Sequence, residues 1–492
     1  LKYGLTSDLA LTATMNPDFG QVEVDPAVVN LTAFETFFEE KRPFFVEGAE
    51  VFRFGQSRNF NSMGNLRMFH SRRIGRAPQR RLIGSAYRYV ETPGQSTILG
   101  AVKVGGKTRG GWTIAGLDAV TDLEIADYLD AAGDPQLAPV EPRSNFFAGR
   151  VRRSLGGGNT SVGGLLTRTD RDLGAPALTH LLRSSGLTGG MDFSHFWAGR
   201  HWEVDGFVAA SDVTGSPDAI AATQRSSARY FQRPDASSFT YDPNRRALAG
   251  YEADVSLVKT SGLHWVGSAS YQSSSPGFEV NDIGFQTQVD RRSFSTIAIY
   301  RENKPGPLFR EYDMFAFTNH SWNFDGDPTF AQVAFSAEGV FQGYWSANAR
   351  LELRPRYYED RITRGGPVVR LRGGGAASWG VRSDQRRRTT CGANGSASWN
   401  GAGGWGLGYG LSVNARPSTR LLIGFEPFLS RSHAKAQYVT TITDPLAIAT
   451  YGSRFVFADL DQTQLTLATR INWAFTPKLS LQLYLQPLVA VG

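Results

Sequence analysis

The run TQLTLATRINWAF, residues 463–475, alternates without a break. Leu465, Leu467, Thr469, Ile471, Trp473 and Phe475 fall on one side of an extended chain, and Gln464, Thr466, Ala468, Arg470 and Asn472 fall on the other. After TPK comes LSLQLYLQ, which repeats the pattern and adds Leu479, Leu481 and Leu483 to the apolar side and Gln482 to the polar side. Side chains of a β-strand point alternately to opposite faces, so this is a hairpin with one apolar and one polar face. ARLELR (349–354) and VVRLR (368–372) alternate in the same way, with arginine on the polar face.

A soluble sandwich also alternates; the turns and the aromatic residues distinguish the two cases. From Thr97 to Val213 the connections run short, long, short, long: GKTRG, then 122–142, GGGN, then 169–185, AGR, then 214–246, with TSG following. An up-and-down membrane barrel has tight turns at one end and long loops at the other. Between about 300 and 450 this parity is lost, because NGAGG and RPST are both short and only one strand separates them. Tryptophan gathers at strand ends: Trp112, Trp197, Trp202, Trp265, Trp345, Trp399, Trp405 and Trp473 all sit beside tight turns. A bilayer girdle needs amphipathic rings at that height.

Composition agrees with a barrel. The chain has 492 residues and a mean hydropathy of −0.28. No run approaches the roughly 18 apolar residues of a spanning helix. A spanning strand needs only about ten residues, half of them apolar. The strand-like runs number roughly 20, within a range of 18–24 for such weak segment signals. The expected fold is therefore all-β: a large transmembrane antiparallel β-barrel with a short helical plug-like segment near the N-terminus. The expected parts are first barrel strands over 1–30, a plug-like segment over 31–70, and the main barrel over 71–492.

The net charge is +7, and 44 of the 52 basic residues are arginine. They are scattered rather than gathered on one face, which argues against a nucleic-acid reader. Cys391 is the sole cysteine, and no Cys/His spacing suits a metal, so no cofactor is expected. None of the seven histidines has a partner four residues away, and no nucleophile motif accompanies them, so no catalytic residue is assigned. His195 and His201 flank a tight turn beside Trp197 and Trp202 and read as interfacial. In NFDGDPT (323–329), Asp325 and Asp327 have a calcium-like spacing without the later ligands, so the stretch reads as a Gly-Asp turn.

Four stretches resemble an uncharacterised family of Gram-negative outer-membrane barrels: residues 1–48, SPGFEVNDIGF (275–285), DRITRGGP (360–367) and LSLQLYLQPL (479–488). In that family the barrel usually follows a periplasmic domain similar to family-9 carbohydrate-binding modules and continues past the last motif. The resemblance thus implies a chain truncated at both ends. It implies an outer-membrane location, with lipid or lipopolysaccharide around it, and transfers no activity.

The opening motif contains NLTAFETFFEEKRPFFVEG (30–48). Thr32 and Glu35 have capping-box spacing, which predicts a short amphipathic helix over 33–41 ended by Pro43. Phe34, Phe37, Phe38, Phe44 and Phe45 are expected to form one cluster inside or across the barrel mouth, and at least one of Glu35, Glu39, Glu40 and Glu47 to pair with an arginine of the barrel lumen. Arg42 belongs to the same plug. Three functions follow: a transport or uptake barrel, for glycans if the family's sugar-binding neighbour is the guide; a scaffold for surface or periplasmic partner proteins; and, third, an outer-membrane enzyme.

Overall fold

The computed structural model describes residues 1–17, 25–26, 28–30, 32–56 and 64–492. It is almost entirely β. A single 22-stranded sheet takes up most of the chain, and every pairing in it is antiparallel. Main strands pair with their neighbours in sequence, from Lys2–Gly4 and Leu9–Met15 to Ser453–Thr476 and its partners Leu479–Leu485 and Leu488–Val491. The strand number lies inside the expected range. Of the expected first strands, 18–24 and Ala27 lie outside the described residues, as do Leu31 and 57–63 of the expected plug.

In such a meander, alternate connections lie at opposite ends. The tight-turn end holds 108–111, 156–159, 198–201, 260–264, 303–308, 342–345, 383–388, 419–420 and 477–478. The long-loop end holds 16–97, 122–143, 172–182, 216–246, 275–290, 323–327, 355–368 and 444–452. The lost parity is thereby resolved. RPST turns at the tight-turn end, whereas NGAGG makes the turn 402–404 among the long loops. The connections 16–97 and 122–143 also contribute a small three-stranded sheet, Arg88–Glu91, Glu124–Leu129 and Pro135–Glu141.

Register separates the two faces. Ile471 lies opposite Leu483 and Ile423, Trp473 opposite Leu481, and Leu465 opposite Leu429. Arg470 lies opposite Tyr484 and Gly424, and Asn472 opposite Gln482. One face thus carries exposed apolar side chains all along the sheet, including Val208, Leu257, Leu351, Leu411, Leu429 and Leu481. The other carries Lys103, Arg150, Asp205, Asp254, Gln272 and Asn319, all buried. Ordinary soluble packing would bury the first set and expose the second.

The polar face is covered over its first half. Phe45, Phe52, Phe54, Leu66, Met68 and Ile74 from the connection 16–97 join one core with sheet residues Leu117, Phe146, Leu165 and Phe207. Phe278, Val280, Ile283 and Val289 from the connection 275–290 complete it. Two glycines allow this close approach. A Cβ at Gly190 would meet the Phe54 ring at 2.5 Å, and one at Gly250 would meet the Phe278 backbone nitrogen at 2.1 Å.

The predicted helix over 33–41 does not form. Helix begins where it was expected to end: Pro43–Val46 makes one α-turn with Pro43 in its first turn, and Ala49–Phe52 makes a 3₁₀ turn. Thr32 Oγ1 accepts from the Phe34 amide at 3.2 Å, and the Glu35 carboxylate is held by Arg73 instead of closing a capping box. The spacing was right for a cap, but a distant arginine took the glutamate.

Candidate functional site

The covering segment is held by charges that sit mostly within it. Arg73 forks onto Glu35 at 2.7 and 2.9 Å, and its Nε donates to the Gly284 carbonyl. Arg42 forks onto Glu40 at 2.9 and 2.7 Å and also donates to the carbonyls of Ser71 and Ile74. Ser71 Oγ donates to Glu40 at 2.6 Å. Burial pushes the Glu40 carboxyl up, but Arg42 and Ser71 outweigh it and hold the group at about 2. Arg72 forks onto Asp25 at 2.8 and 2.7 Å and donates to the Glu39 carbonyl. Glu47 pairs with Lys2. The arginines expected on the wall thus belong to the segment itself.

The phenylalanines divide into separate groups. Phe44 and Phe45 pack edge to face, 5.0 Å apart, and Arg42 lies over Phe45 at 4.4 Å. Phe37 packs against Phe285 and His70 at 5.1 and 5.0 Å, beneath the Arg67 guanidinium. Burial and nearby Arg73 push His70 down to about 4. Phe38 lies 6.0 Å from Arg72, and the Phe34 carbonyl accepts from Asn30. Contact with the sheet comes partly from expected plug residues, with Phe45 in the core shared with Leu117 and Phe146 and Glu47 on Lys2, and partly from residues the sequence reading passed over. Phe54 packs on Phe207 at 5.5 Å, and the Gly55 amide donates to Asp192, which Arg150 grips at 2.7 Å through both nitrogens. Lys103 donates to the carbonyls of Phe44 and Glu47.

A second network joins the long loops. Asp360 of DRITRGGP receives Arg291 through two bonds of 2.7 Å, Arg361 at 2.8 Å and Arg233 at 3.5 Å. Arg361 also donates to the carbonyls of Ala228 and Val289. Burial pushes Asp360 up, but Arg291 and Arg361 prevail and hold it well below the usual carboxylate range. In SPGFEVNDIGF, Glu279 pairs with Arg229 at 2.6 Å and Asp282 with Arg171 at 2.8 Å and Arg183 at 3.0 Å. Both motifs therefore hold loops together. Arg364 lies over the Tyr438 ring at 4.9 Å. Asp325 accepts from Ser237, Ser238 and Arg233, while Asp327 closes a turn with Asn323, so NFDGDPT is a structural turn. No metal-ligating group of three side chains comes together among the described residues.

The second half of the polar face is open. A cavity of about 800 Å³ runs along Asn348, Ser378, Arg382, Asn394, Asn414 and Glu426. Beside it, about 690 Å³ is lined by Arg301, Asp313, Glu338 and Asn348. Small polar side chains and glycines on neighbouring strands leave this room. For example, Asn394 lies opposite Gly410 and Gly380.

Trp112, Trp197, Trp202, Trp265, Trp345 and Trp473 lie at or near strand ends on the tight-turn side. Trp399 and Trp405 pair across the turn 402–404 at the other end. The Trp197 and Trp202 rings stack at 6.3 Å, with His195 stacked on Trp197 at 6.1 Å. His201 bonds Ser261 at 2.6 Å.

A family model described as "Domain of unknown function (DUF5916)" matches residues 1–151 and 205–488. No curated protein matches the chain. Among solved structures, an anion-selective porin from Comamonas acidovorans is 12% identical over 74% of this chain and 100% of its own, with a TM-score of 0.31. The structure titled as the FpvAI–pyocin S2 complex is 9% identical over 84% of this chain and 58% of its own, with a TM-score of 0.34. The ferric yersiniabactin uptake receptor FyuA from Yersinia pestis is 10% identical over 81% of this chain and 73% of its own, with a TM-score of 0.27.

Proposed function

The chain belongs to the DUF5916 family of domains of unknown function, and we propose that it acts as an outer-membrane transport barrel of a Gram-negative bacterium. The observation carrying this reading is the difference between the two halves of the polar face. Across the first half, residues 32–56 and 64–76 fill the space as a plug, anchored by Phe54, Gly55 and Lys103. Across the second half, Ser, Asn and Gly line open polar space. A wall that is apolar outside and hydrated inside suits a hydrophilic solute crossing beside a plug. A glycan fits such a lining as well as other polar solutes do.

The test is single-channel conductance in planar bilayers. The intact chain should conduct through the open half, and deleting residues 31–50 should raise conductance while the barrel still folds. Zero conductance in both forms would reject transport. It would favour the scaffold reading, which draws on the hairpin Leu421–Thr443 and Ser453–Thr476. Beyond His433 and Asp461 its strands pair only with each other, and its tip exposes Leu446 and Ile448 at 85% and 84%.

A further inference from the structure

Elsewhere in the molecule, buried guanidiniums are matched by carboxylates: Arg150 by Asp192, Arg291 by Asp360, Arg229 by Glu279. The tight-turn end differs: at two of its turns the arginines are exposed, and carboxylates are scarce among them. The turn 383–388 and the turn 419–420, with its flanks, bring Arg386, Arg387, Arg388, Arg416 and Arg420 to one cavity. They share one carboxylate. Asp384 binds Arg386 at 2.8 Å and reaches Arg387 at 3.6 Å. Among the described residues, Arg388, Arg416 and Arg420 make no ion pair.

The strand register explains the convergence. Thr389–Gly401 pairs with Trp405–Ser418, so the start of one strand meets the end of the other, and the Arg416 amide donates to the Arg388 carbonyl at 2.7 Å. Arginines from two turns therefore line one space, a cavity of about 1040 Å³. Its polar side has Ser418, Asn472 and Gln482; its other side has Leu421, Trp473 and Leu481, which belong to the outward apolar face.

Like charges gathered with little counter-charge repel, less strongly where solvent screens them, and an oxyanion seated among them relieves what repulsion remains. Each guanidinium offers a planar fork that matches two oxygens of a tetrahedral oxyanion. The adjoining apolar wall, at the height of the tryptophans, suits a ligand with an acyl body. We propose that this cluster is a binding site for a phosphate group, with Arg388, Arg416 and Arg420 as its ligands. The same chemistry is presented by an anionic phospholipid headgroup of the surrounding leaflet and by a soluble phosphate compound. The site stands independently of solute transport.

Two binding measurements on the full chain test it. In zwitterionic detergent, calorimetric titration with inorganic pyrophosphate reads the soluble source. In nanodiscs of mixed phosphatidylglycerol and phosphatidylcholine, native mass spectrometry of the released protein reads retained lipid. The expected result is saturable pyrophosphate binding, selective retention of phosphatidylglycerol, or both. The variant R388Q/R416Q/R420Q should lower affinity or enrichment at least tenfold, and R109Q/R153Q at other tight turns should leave it unchanged. Pyrophosphate binding without lipid enrichment identifies a soluble source, and the reverse identifies a headgroup. Heat-dependent gel mobility reports folding; should the triple variant fail to fold, Arg420→Gln alone should weaken binding severalfold. Absence of both signals, or equal signals in the variant, overturns the site. Neither outcome depends on conductance.

Discussion

Replacing Asp360 with Asn should loosen the long-loop end while leaving the sheet intact. The carboxylate is fully buried and receives Arg291, Arg361 and Arg233. Asn is nearly isosteric but neutral, and one of its two polar atoms becomes a donor pointed at other donors. Removing one partner of a buried ion pair costs about 3–5 kcal/mol, because the remaining charge stays buried without compensation. At about 1.4 kcal/mol per tenfold, local opening should rise by roughly a hundred- to several-thousand-fold. The reporter is the Val289 amide, which donates to the Ala228 carbonyl at 3.1 Å, while the Val289 carbonyl accepts from Arg361. Hydrogen exchange followed by mass spectrometry should show faster exchange in 275–290 and 359–367. Exchange in strands such as Trp202–Gly215 should stay slow, because their ladders do not depend on Asp360. Asp444→Asn is the control. Its partner Arg454 is mostly exposed, and such surface pairs contribute less than about 1 kcal/mol. If Val289 exchange rises less than tenfold in the Asp360 variant, the network does not hold the loops and this reasoning fails.

Phe54→Ala should weaken docking of the covering segment by about 3–5 kcal/mol, since the ring is buried against Phe207; a protease should then cut near residues 50–56, and unchanged resistance would contradict it. Gly190→Val should expel the Phe54 ring and give the same cleavage pattern, because its Cβ would occupy the ring position. Docking should also weaken in acid. His70 is held at about 4 and Glu40 at about 2, both below their ordinary values of 6.5 and 4.5. Their contribution is fully present above pH 6.5 and is lost first as pH falls from 6.5 to 4, through His70, and then from 4.5 to 2, through Glu40; protection of residues 64–76, corrected for the intrinsic pH dependence of amide exchange, that stays flat from pH 7 to 3 would refute this. Leu411→Arg should impair insertion by about 2–4 kcal/mol if the exposed apolar face meets the bilayer midplane, read by folding yield into vesicles; normal yield would count against it.

Period-two alternation is a local property, and the sequence determined what depends on it. It separated Leu465, Ile471 and Leu481 from Arg470 and Gln482, because consecutive strand side chains must face opposite ways. The approximate number of strands and the short–long rhythm up to about residue 300 followed from the same signal. What the sequence left open depends on distant residues. Glu35 had a capping role available locally, yet the fold brings Arg73 to it, and no helix forms before Pro43. Phe54 reads as one aromatic among many until Gly190 opens the space for its ring. The turn at NGAGG could be assigned to an end only by following register through every preceding strand. Asp360 and Arg291 lie 69 residues apart, and no spacing rule links them. Only the stacking of loops over the sheet makes them partners, because the cost of a buried charge depends on what tertiary packing places beside it.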